Sequence, residues 1–260
     1  MEGDKDARGT ALIVGGSPQT PGAVLLAGVS ALRAGAGVLQ LAAAPSTTAA
    51  LSIQVPEALV LGVPEDERPP DRLAELALGA SAIAIGPGLD HIGHAAALIR
   101  FIDTAAPADT PIVLDAYALD ALSVMPDLIA AKAGRYVLTP NREEARRLLD
   151  AEIGDLMEAA IAIAVRYQAV VSLVGRIAEP GGQTWWEQSG VIGLSAPGSG
   201  DVRAGMVAGL LARGADLAQA ATWAAYAHAA AAQRLAPRFG HLGFLAREVV
   251  DEVPAALAAV

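Results

Sequence analysis

The chain has no cysteine, which excludes disulfides, thiolate metal sites and cysteine nucleophiles. Aromatic residues are scarce at 4%, while 53% of the residues are hydrophobic, so the core must be built from Ala, Val, Leu and Ile. Such residues suit a parallel sheet covered by helices. Lysine occurs only at Lys5 and Lys132, and the formal net charge is −10. This charge disfavours a nucleic-acid-binding protein, which needs a basic surface.

A long uninterrupted apolar stretch is also lacking, because Arg33, Arg166, Arg213 and several glycines divide the apolar regions. We therefore expect no membrane span. Residues 1–8 are polar and charged, unlike a signal peptide, which favours a cytoplasmic protein. The 260 residues suffice for one large α/β domain, which we expect to occupy residues 1–260 with a disordered tail over residues 1–9.

Short apolar runs alternate with segments of helical pattern along most of the chain. The runs predict buried strands, a Pro-Gly-Gly segment followed by two tryptophans predicts a hairpin, and Ala- and Leu-rich segments predict helices. The predicted strands are 11–14, 38–43, 58–62, 81–85, 111–114, 135–138 and 169–174; the hairpin is 179–188; the helices are 22–34, 200–214, 217–235 and 241–253. This alternation predicts right-handed βαβ units and a mostly parallel sheet.

Five predicted strands end in glycine or polar residues. These ends are Gly15-Gly16-Ser17, Gly86-Pro87-Gly88, Asp115, Asn141 and Gly175. Because ligands of such sheets bind at the carboxyl ends of the strands, the five ends predict one shared crevice. These strand ends also have simpler interpretations. The glycines could form ordinary turns, and Asp115 could cap the helix near Ala118. Glu144, which follows Asn141 in the first turn of the next helix, could merely complement the helix dipole.

The segment from Ala196 to Gly205 joins a loop of small residues to a helix. Gly198 and Gly200 allow the backbone to approach an anion, and the first N–H groups of the helix have no partners within it. The segment could therefore bind a phosphate, with Asp201 beside it to accept a proton from a substrate hydroxyl. Spacing alone equally allows Ser199 or Asp201 to act only as a helix cap.

In their order along the chain, these segments resemble the NAD(P)H-hydrate dehydratases over residues 11–254. Gly15-Gly16-Ser17 and Gly86-Pro87-Gly88 resemble the first two loops of that family. Leu114-Asp115-Ala116 resembles its D-A-D-A-L segment, and Leu138-Thr139-Pro140 with Glu144 resembles T-P-H-P-G-E. Residues 198–205 resemble G-T-G-D-V-L-A-G, and residues 226–228 fall where the family has Y-x-H-G.

The resemblance implies a ribokinase-like fold, a three-layer α/β sandwich with a mostly parallel central sheet. It implies that water is removed from hydrated NADH or NADPH at the expense of ADP or ATP, with Mg²⁺ as the phosphate partner, in an enzyme that forms a homo-oligomer. The roles it implies are Asp201 as the base; Gly198, Ser199, Gly200, Gly175 and Arg176 for the nucleotide; Gly15, Gly16, Ser17, Ala23, Gly86, Gly88, Asp115, Asn141 and Asp201 for the substrate; and Glu144 for the metal.

Some positions differ from the family pattern. Where the family has Leu-Lys-Gly, this chain has Leu173-Val174-Gly175, and Arg176 is the candidate to supply the missing charge. The family His after Thr-Pro is Asn141, and residues 228–233 lack the glycines and the acid of the family stretch. Two alternatives therefore remain: a small-molecule kinase of the same fold, and a non-catalytic nucleotide- or NAD-binding protein.

Overall fold

The computed structural model describes residues 6–65, 68–129, 132 and 134–259. Within these residues nine strands form one sheet in the order β3-β2-β1-β4-β5-β6-β7-β8-β9. The first seven strands are parallel, and β8 and β9 are antiparallel. Their bounds are β1 Thr10–Val14, β2 Val38–Ala43, β3 Ala58–Gly62, β4 Ala82–Ile85, β5 Ile112–Leu114, β6 Tyr136–Leu138, β7 Val170–Leu173, β8 Arg176–Ala178 and β9 Thr184–Trp186.

Ten α-helices in the described residues cover the two faces of the sheet. They are α1 Pro21–Arg33, α2 Thr48–Gln54, α3 Asp71–Gly79, α4 Ile92–Ala105, α5 Tyr117–Val124, α6 Arg142–Leu149, α7 Leu156–Tyr167, α8 Ser199–Ala212, α9 Leu217–Phe239 and α10 Ala246–Leu257. Among these residues no helix is both long and apolar enough to cross a membrane.

The alternation of side chains along β1 divides the core into two layers. Ala11 and Ile13 are buried against α1, α8, α9 and α10, whereas Leu12 and Val14 are buried against α3 to α7. Successive residues of a strand point to opposite faces, so a strand apolar at every position must be covered on both sides. The three-layer α/β sandwich expected from the sequence is confirmed.

In the sheet β1 lies between β2 and β4. The chain adds β2 and β3 on one side of β1 and then continues with β4 on its other side, so the direction of strand addition reverses at β1. Such a reversal opens a crevice at the carboxyl ends of the two central strands. Here the loops that follow β1 and β4 join: the N–H of Gly16 donates to the carbonyl of Pro87 (2.8 Å), and the N–H of Ser17 donates to that of Gly88 (2.7 Å). Two of the five strand ends, those after β1 and β4, therefore lie together, whereas Asn141 and Gly175 line a different cavity from Gly15-Gly16-Ser17.

The predicted strands agree with the structure to within one residue at each end, but some other boundaries differ. The helix expected to end at Leu235 continues through Pro237 to Phe239, and the last helix begins at Ala246 rather than His241. The hairpin strands are β8 and β9, so the first strand begins before the expected residue 179.

The disordered tail expected over residues 1–9 is wrong for its last four residues. Asp6–Arg8 form a 3₁₀ helix, and the carbonyl of Gly9 accepts hydrogen bonds from the N–H groups of Gly37 (2.9 Å) and Val38 (3.1 Å). These bonds anchor the chain to the start of β2. Residues 1–5 lie outside the described residues.

Candidate active site

The turn into α8 has the geometry that its sequence predicts. Gly198 adopts φ +86°, and a Cβ on it would lie 2.7 Å from Leu26 of α1 and 3.9 Å from Oδ2 of Asp201. Gly200 has open space around its Cα, because a Cβ there would meet nothing within 4 Å. The N-terminal end of a 14-residue helix is therefore free to accept an anion beside the carboxylate of Asp201.

A cavity of about 700 Å³ lies in front of this helix end. The turn after β7, the hairpin strand β9, the helix α9 and the start of α8 form its walls. Of the residues predicted to bind nucleotide or substrate, Asn141, Gly175, Arg176, Ser199 and Gly200 line it. Asp201 does not line this cavity, and its carboxylate points back towards Gly198, the residue that precedes α8.

Arg203 also lines this cavity, and the sequence analysis had not identified it. Its Nη2 donates to the carbonyls of Thr139 (2.8 Å) and Pro140 (3.3 Å), which ties α8 to the loop after β6. The carboxylates of Asp115 and Glu144 act on its charge. Arg203 is the one charged side chain between Val202 and Ala212, where the other residues are small or apolar, and that was the available signal.

Three carboxyl groups of the site, those of Asp115, Glu144 and Asp201, have raised pKa values. Burial raises the pKa of Asp201 to about 7, and the charges of Asp115 and Glu144 add to this shift. Burial also raises the pKa of Glu144 to about 7, with Asp115 as the second cause. The pKa of Asp115 is raised by burial, although its hydrogen bond from Thr139 Oγ1 (2.7 Å) opposes the shift. A carboxyl group with a pKa near 7 is suited to proton transfer at neutral pH.

Ser199 and His228 form a buried pair in the wall of the cavity. Their Oγ and Nε2 atoms are 3.0 Å apart. Burial, followed by the charge of Arg203, lowers the pKa of His228 to about 3, so the imidazole is neutral at physiological pH. In the sequence, His228 stands out only as part of the family stretch, because its partner is 29 residues away.

Arg176 lies at the edge of the same cavity. Its Cζ is 4.2 Å from the centroid of the Trp186 ring, within the range of a cation–π interaction. Val174 and Gly175 make the two-residue turn between β7 and β8, with φ values of +46° and +75°. The position where the family has a lysine is therefore a strained, 46% exposed valine.

The remaining predicted substrate residues form a second group around the switch point. A Cβ on Gly88 would lie 2.5 Å from the carbonyl oxygen of Thr20 and 2.9 Å from Cβ of Ala23, so only glycine fits there. A Cβ on Gly86 would lie 1.8 Å from the carbonyl oxygen of Asp115. The loops of this group are packed backbone against backbone, which positions Asp115 and the start of α1.

A smaller cavity of about 280 Å³ opens beside this second group. The loops after β1, β2 and β3 and the start of α4 line it. Gly15, Gly16 and Ser17 belong to its lining, together with Leu89 and Asp90. Some of the predicted residues thus line one of the two cavities, and the others line neither; the latter are Ala23, Gly86, Gly88, Asp115, Glu144, Gly198 and Asp201.

The metal position predicted at Glu144 is engaged in a helix cap. Asn141 Oδ1 accepts from the N–H of Glu144 (2.9 Å), and Glu144 Oε2 accepts from the N–H of Asn141 (2.7 Å). No group of three or more His, Asp or Glu side chains able to hold a metal occurs within the described residues. The donor set therefore fits a Mg²⁺ ion held mainly by phosphate oxygens and water, with Glu144 supplying one ligand at most.

Comparisons with known proteins agree with this architecture. A ribokinase-like superfamily protein from Enterococcus faecalis V583 superposes with a TM-score of 0.85 at 21% identity, over 99% of this chain and 89% of that one. The crystal structure of the ADP/ATP-dependent NAD(P)H-hydrate dehydratase from Bacillus subtilis, co-crystallised with ATP and Mg²⁺, superposes with a TM-score of 0.81 at 29% identity, over 99% of this chain and 92% of that one. The fold is ribokinase-like.

The sequence comparisons identify the family within this class. The profile of the NAD(P)H-hydrate dehydratases matches residues 11–255. An ADP-dependent (S)-NAD(P)H-hydrate dehydratase from Xanthomonas campestris pv. campestris is 43% identical, over 98% of this chain and 90% of its own length. The chain belongs to the NAD(P)H-hydrate dehydratase family, as its motifs indicate.

Proposed function

We propose that this protein is an ADP-dependent (S)-NAD(P)H-hydrate dehydratase, which restores hydrated NADH or NADPH to the intact cofactor at the expense of ADP or ATP. The observation that carries the proposal is Asp201, whose pKa is raised to about 7 and which lies in the first turn of α8, next in sequence to Ser199 and Gly200, which line the large cavity. The activity of the Xanthomonas and Bacillus relatives supports it.

The chemistry follows from the poor leaving ability of a hydroxyl group. Asp201 takes the proton of the substrate hydroxyl, whose oxygen then attacks the terminal phosphoryl group of the nucleotide and displaces AMP from ADP, or ADP from ATP. The resulting phosphate ester is a good leaving group, and elimination of phosphate with loss of a ring proton restores the dihydropyridine. The N–H groups at Gly198 to Gly200 stabilise the negative charge on the transferring phosphoryl group.

The two cavities suggest how the two substrates lie. We assign the nucleotide to the larger cavity, which Gly175, Arg176, Ser199 and Gly200 line. The hydrated nicotinamide would lie near Gly15-Gly16-Ser17, Ala23, Gly88 and Asn141, with its hydroxyl towards Asp201. Mg²⁺ would be coordinated by the nucleotide phosphates and by water, with Glu144 as the available carboxylate.

The test is the recovery of absorbance at 340 nm from hydrated NADH supplied with ADP or ATP. Asp201→Asn should lower kcat by about 10²-fold or more, because the general base is lost. The base works as a carboxylate, so the wild-type rate should fall about tenfold per pH unit below pH 7. Glu143→Gln, on the exposed side of α6, is the matched control and should keep the wild-type rate.

The products separate this proposal from its alternatives. A stable phosphate ester of the substrate would identify a small-molecule kinase instead, because the elimination step would be missing. Binding of ADP or of NADH without turnover would indicate a non-catalytic protein. Absence of turnover with both nucleotides would overturn the proposed dehydratase activity.

A further inference from the structure

Arg203 has hydrogen-bonding capacity that the protein itself does not use. Its Nη2 contacts two backbone carbonyls, but its Nε is buried without a hydrogen-bond partner. A guanidinium has five N–H donors and remains charged even where burial lowers its pKa. A buried donor left unpaired costs free energy, so a cation placed this way in a cavity wall is suited to bind an anionic ligand.

The neighbours of Arg203 indicate which end of a nucleotide would contact it. Ser199 and Gly200, one turn earlier on α8, line the same cavity at the positively polarised end of the helix. Another part of the wall is apolar, with Val191, Ile192 and Leu194, and suits a base. The phosphates would therefore lie between the helix end and Arg203.

We propose that the guanidinium of Arg203 binds the phosphates of the nucleotide and supplies the positive charge that the family places on the lysine at position 174. The inference rests on the nucleotide-dependent function proposed above. Val174 and Arg203 both line the large cavity, so a cation at either position contributes positive charge to the same cavity. In the family segment G-T-G-D-V-L-A-G the position of Arg203 is a leucine, which means that the chain has lost one cation and gained another around one cavity.

Arg203 also has a structural role, and the experiment must separate the two. Its bonds to the carbonyls of Thr139 and Pro140 hold the loop after β6 against α8. Loss of that contact alone would weaken binding of every ligand of the cavity to a similar extent. Loss of a phosphate contact would weaken the binding of ADP and leave the binding of adenosine unchanged. The ratio of the Kd values for adenosine and ADP is therefore the quantity to measure.

The experiment is calorimetric titration of the full chain with ADP and with adenosine, in the presence of Mg²⁺ and without hydrated NADH. Arg203→Gln keeps an N–H donor for the two carbonyls but removes the charge, and Arg203→Leu introduces the residue that the family segment carries. In each variant we expect the adenosine-to-ADP ratio of Kd values to fall at least tenfold below the wild-type ratio. Either variant suffices if the other does not fold.

Two further variants test the exchange of charge and the specificity of the effect. The double variant Val174→Lys with Arg203→Leu should return the ratio to within about threefold of wild type. Arg213→Gln is the matched control, because Arg213 follows the other end of α8 and donates to the carbonyl of Ala34 (3.3 Å). It should leave the ratio unchanged.

The outcomes are distinguishable. If both Arg203 variants keep the wild-type ratio of Kd values, the proposed contact between Arg203 and the phosphates is wrong. If the double variant has the same ratio as Arg203→Leu, the proposed replacement of a lysine at position 174 by Arg203 is wrong. These results leave the dehydratase proposal standing, because turnover is measured separately. A wild-type protein that does not bind ADP would overturn both proposals.

Discussion

At the scale of single residues, the site concentrates negative charge in a place that solvent reaches poorly. Asp115 is 5% exposed and Glu144 is 9% exposed, and the charges of both act on Asp201 and on Arg203. Burial of carboxylates is unfavourable unless their charge is compensated, so each group retains its proton to a higher pH. The site therefore gains a base that titrates near neutrality and loses stability when it ionises.

This arrangement predicts how stability depends on pH. The pKa of Asp201 rises from 3.8 to about 7 on folding, and that of Glu144 rises from 4.5 to about 7. Between these limits the folded state binds more protons than the unfolded state, so the free energy of unfolding decreases as the pH rises from about 4 to 7 and is level above that range. Asp201→Asn removes one ionising group and should be more stable than wild type by roughly 1–3 kcal/mol at pH 8.

Urea unfolding at several pH values measures this difference. The free energies of unfolding of the variant and the wild type should converge at pH 4, where Asp201 is protonated in the folded protein. Glu143→Gln, an exposed acid on the same side of the molecule, should follow the wild-type curve. Parallel curves for Asp201→Asn and wild type between pH 4 and 8 would contradict the raised pKa.

At the scale of elements, α1 and α8 pack more closely than most helix pairs can. A Cβ on Gly205 would lie 2.0 Å from the carbonyl oxygen of Ala27, and a Cβ on Gly209 would lie 2.4 Å from that of Ala31. The side chains that usually separate two helices are absent at these crossings, so the backbones touch. This close contact places the N-terminal end of α8 beside the loops that follow β1 and β4.

Gly205→Ala should destabilise the protein by about 2–3 kcal/mol, because the two helices must separate to admit a methyl group. Gly200→Ala in the same helix provides the comparison. A Cβ on Gly200 meets nothing within 4 Å, and the better helix propensity of alanine should make this variant about 0.5–1 kcal/mol more stable. Thermal unfolding followed by circular dichroism measures both. Equal melting temperatures for the two variants would refute the close packing.

The turn between β7 and β8 is a second element with a local conflict. Val174 occupies the first of its two positions with φ +46°, a conformation that a β-branched residue adopts only at a cost. Val174→Asn would create the Asn-Gly pair that favours such a turn and should stabilise the protein by about 1 kcal/mol. Val165→Asn, at a similarly exposed valine within α7, should not stabilise it. The midpoints of urea unfolding of the two variants measure whether only Val174→Asn stabilises the protein.

At the scale of the whole molecule, nucleotide binding and folding are linked because the cavity is made by segments far apart in the chain. Asn141, Trp186, Ser199 and His228 meet only in the folded protein. ADP at one hundred times its Kd should therefore raise the free energy of unfolding by about 2.7 kcal/mol. Thermal shift in the presence of ADP measures this, with inorganic phosphate at the same concentration as the control. The absence of a shift with ADP would contradict the assignment of the cavity.

Two properties of the whole molecule stay predictions from the sequence. These are the homo-oligomeric assembly that the family resemblance implies and the cytoplasmic location. The domain expected over residues 1–260 likewise rests on the composition and the motifs, although one sheet does run through the described residues.

The sequence by itself was sufficient for the seven parallel strands, for the helices α1, α8, α9 and α10, for the glycine-rich and acidic strand ends, and for the family. These features are local: the alternation of side chains reports which faces are buried, and each motif lies within about ten residues. The strained turn at Val174 and the continuation of α9 through Pro237 were missed because packing overrides local preference there.

Only the tertiary structure decided how the side chains of the site meet. Thr139 and Asp115 are 24 residues apart, Ser199 and His228 are 29 apart, and Arg203 and Thr139 are 64 apart. No local pattern encodes such contacts, because they depend on how the strands are ordered in the sheet and how closely α8 packs on α1. For the same reason the pKa of Asp201 could not be predicted: it is set by burial and by charges that only folding brings near.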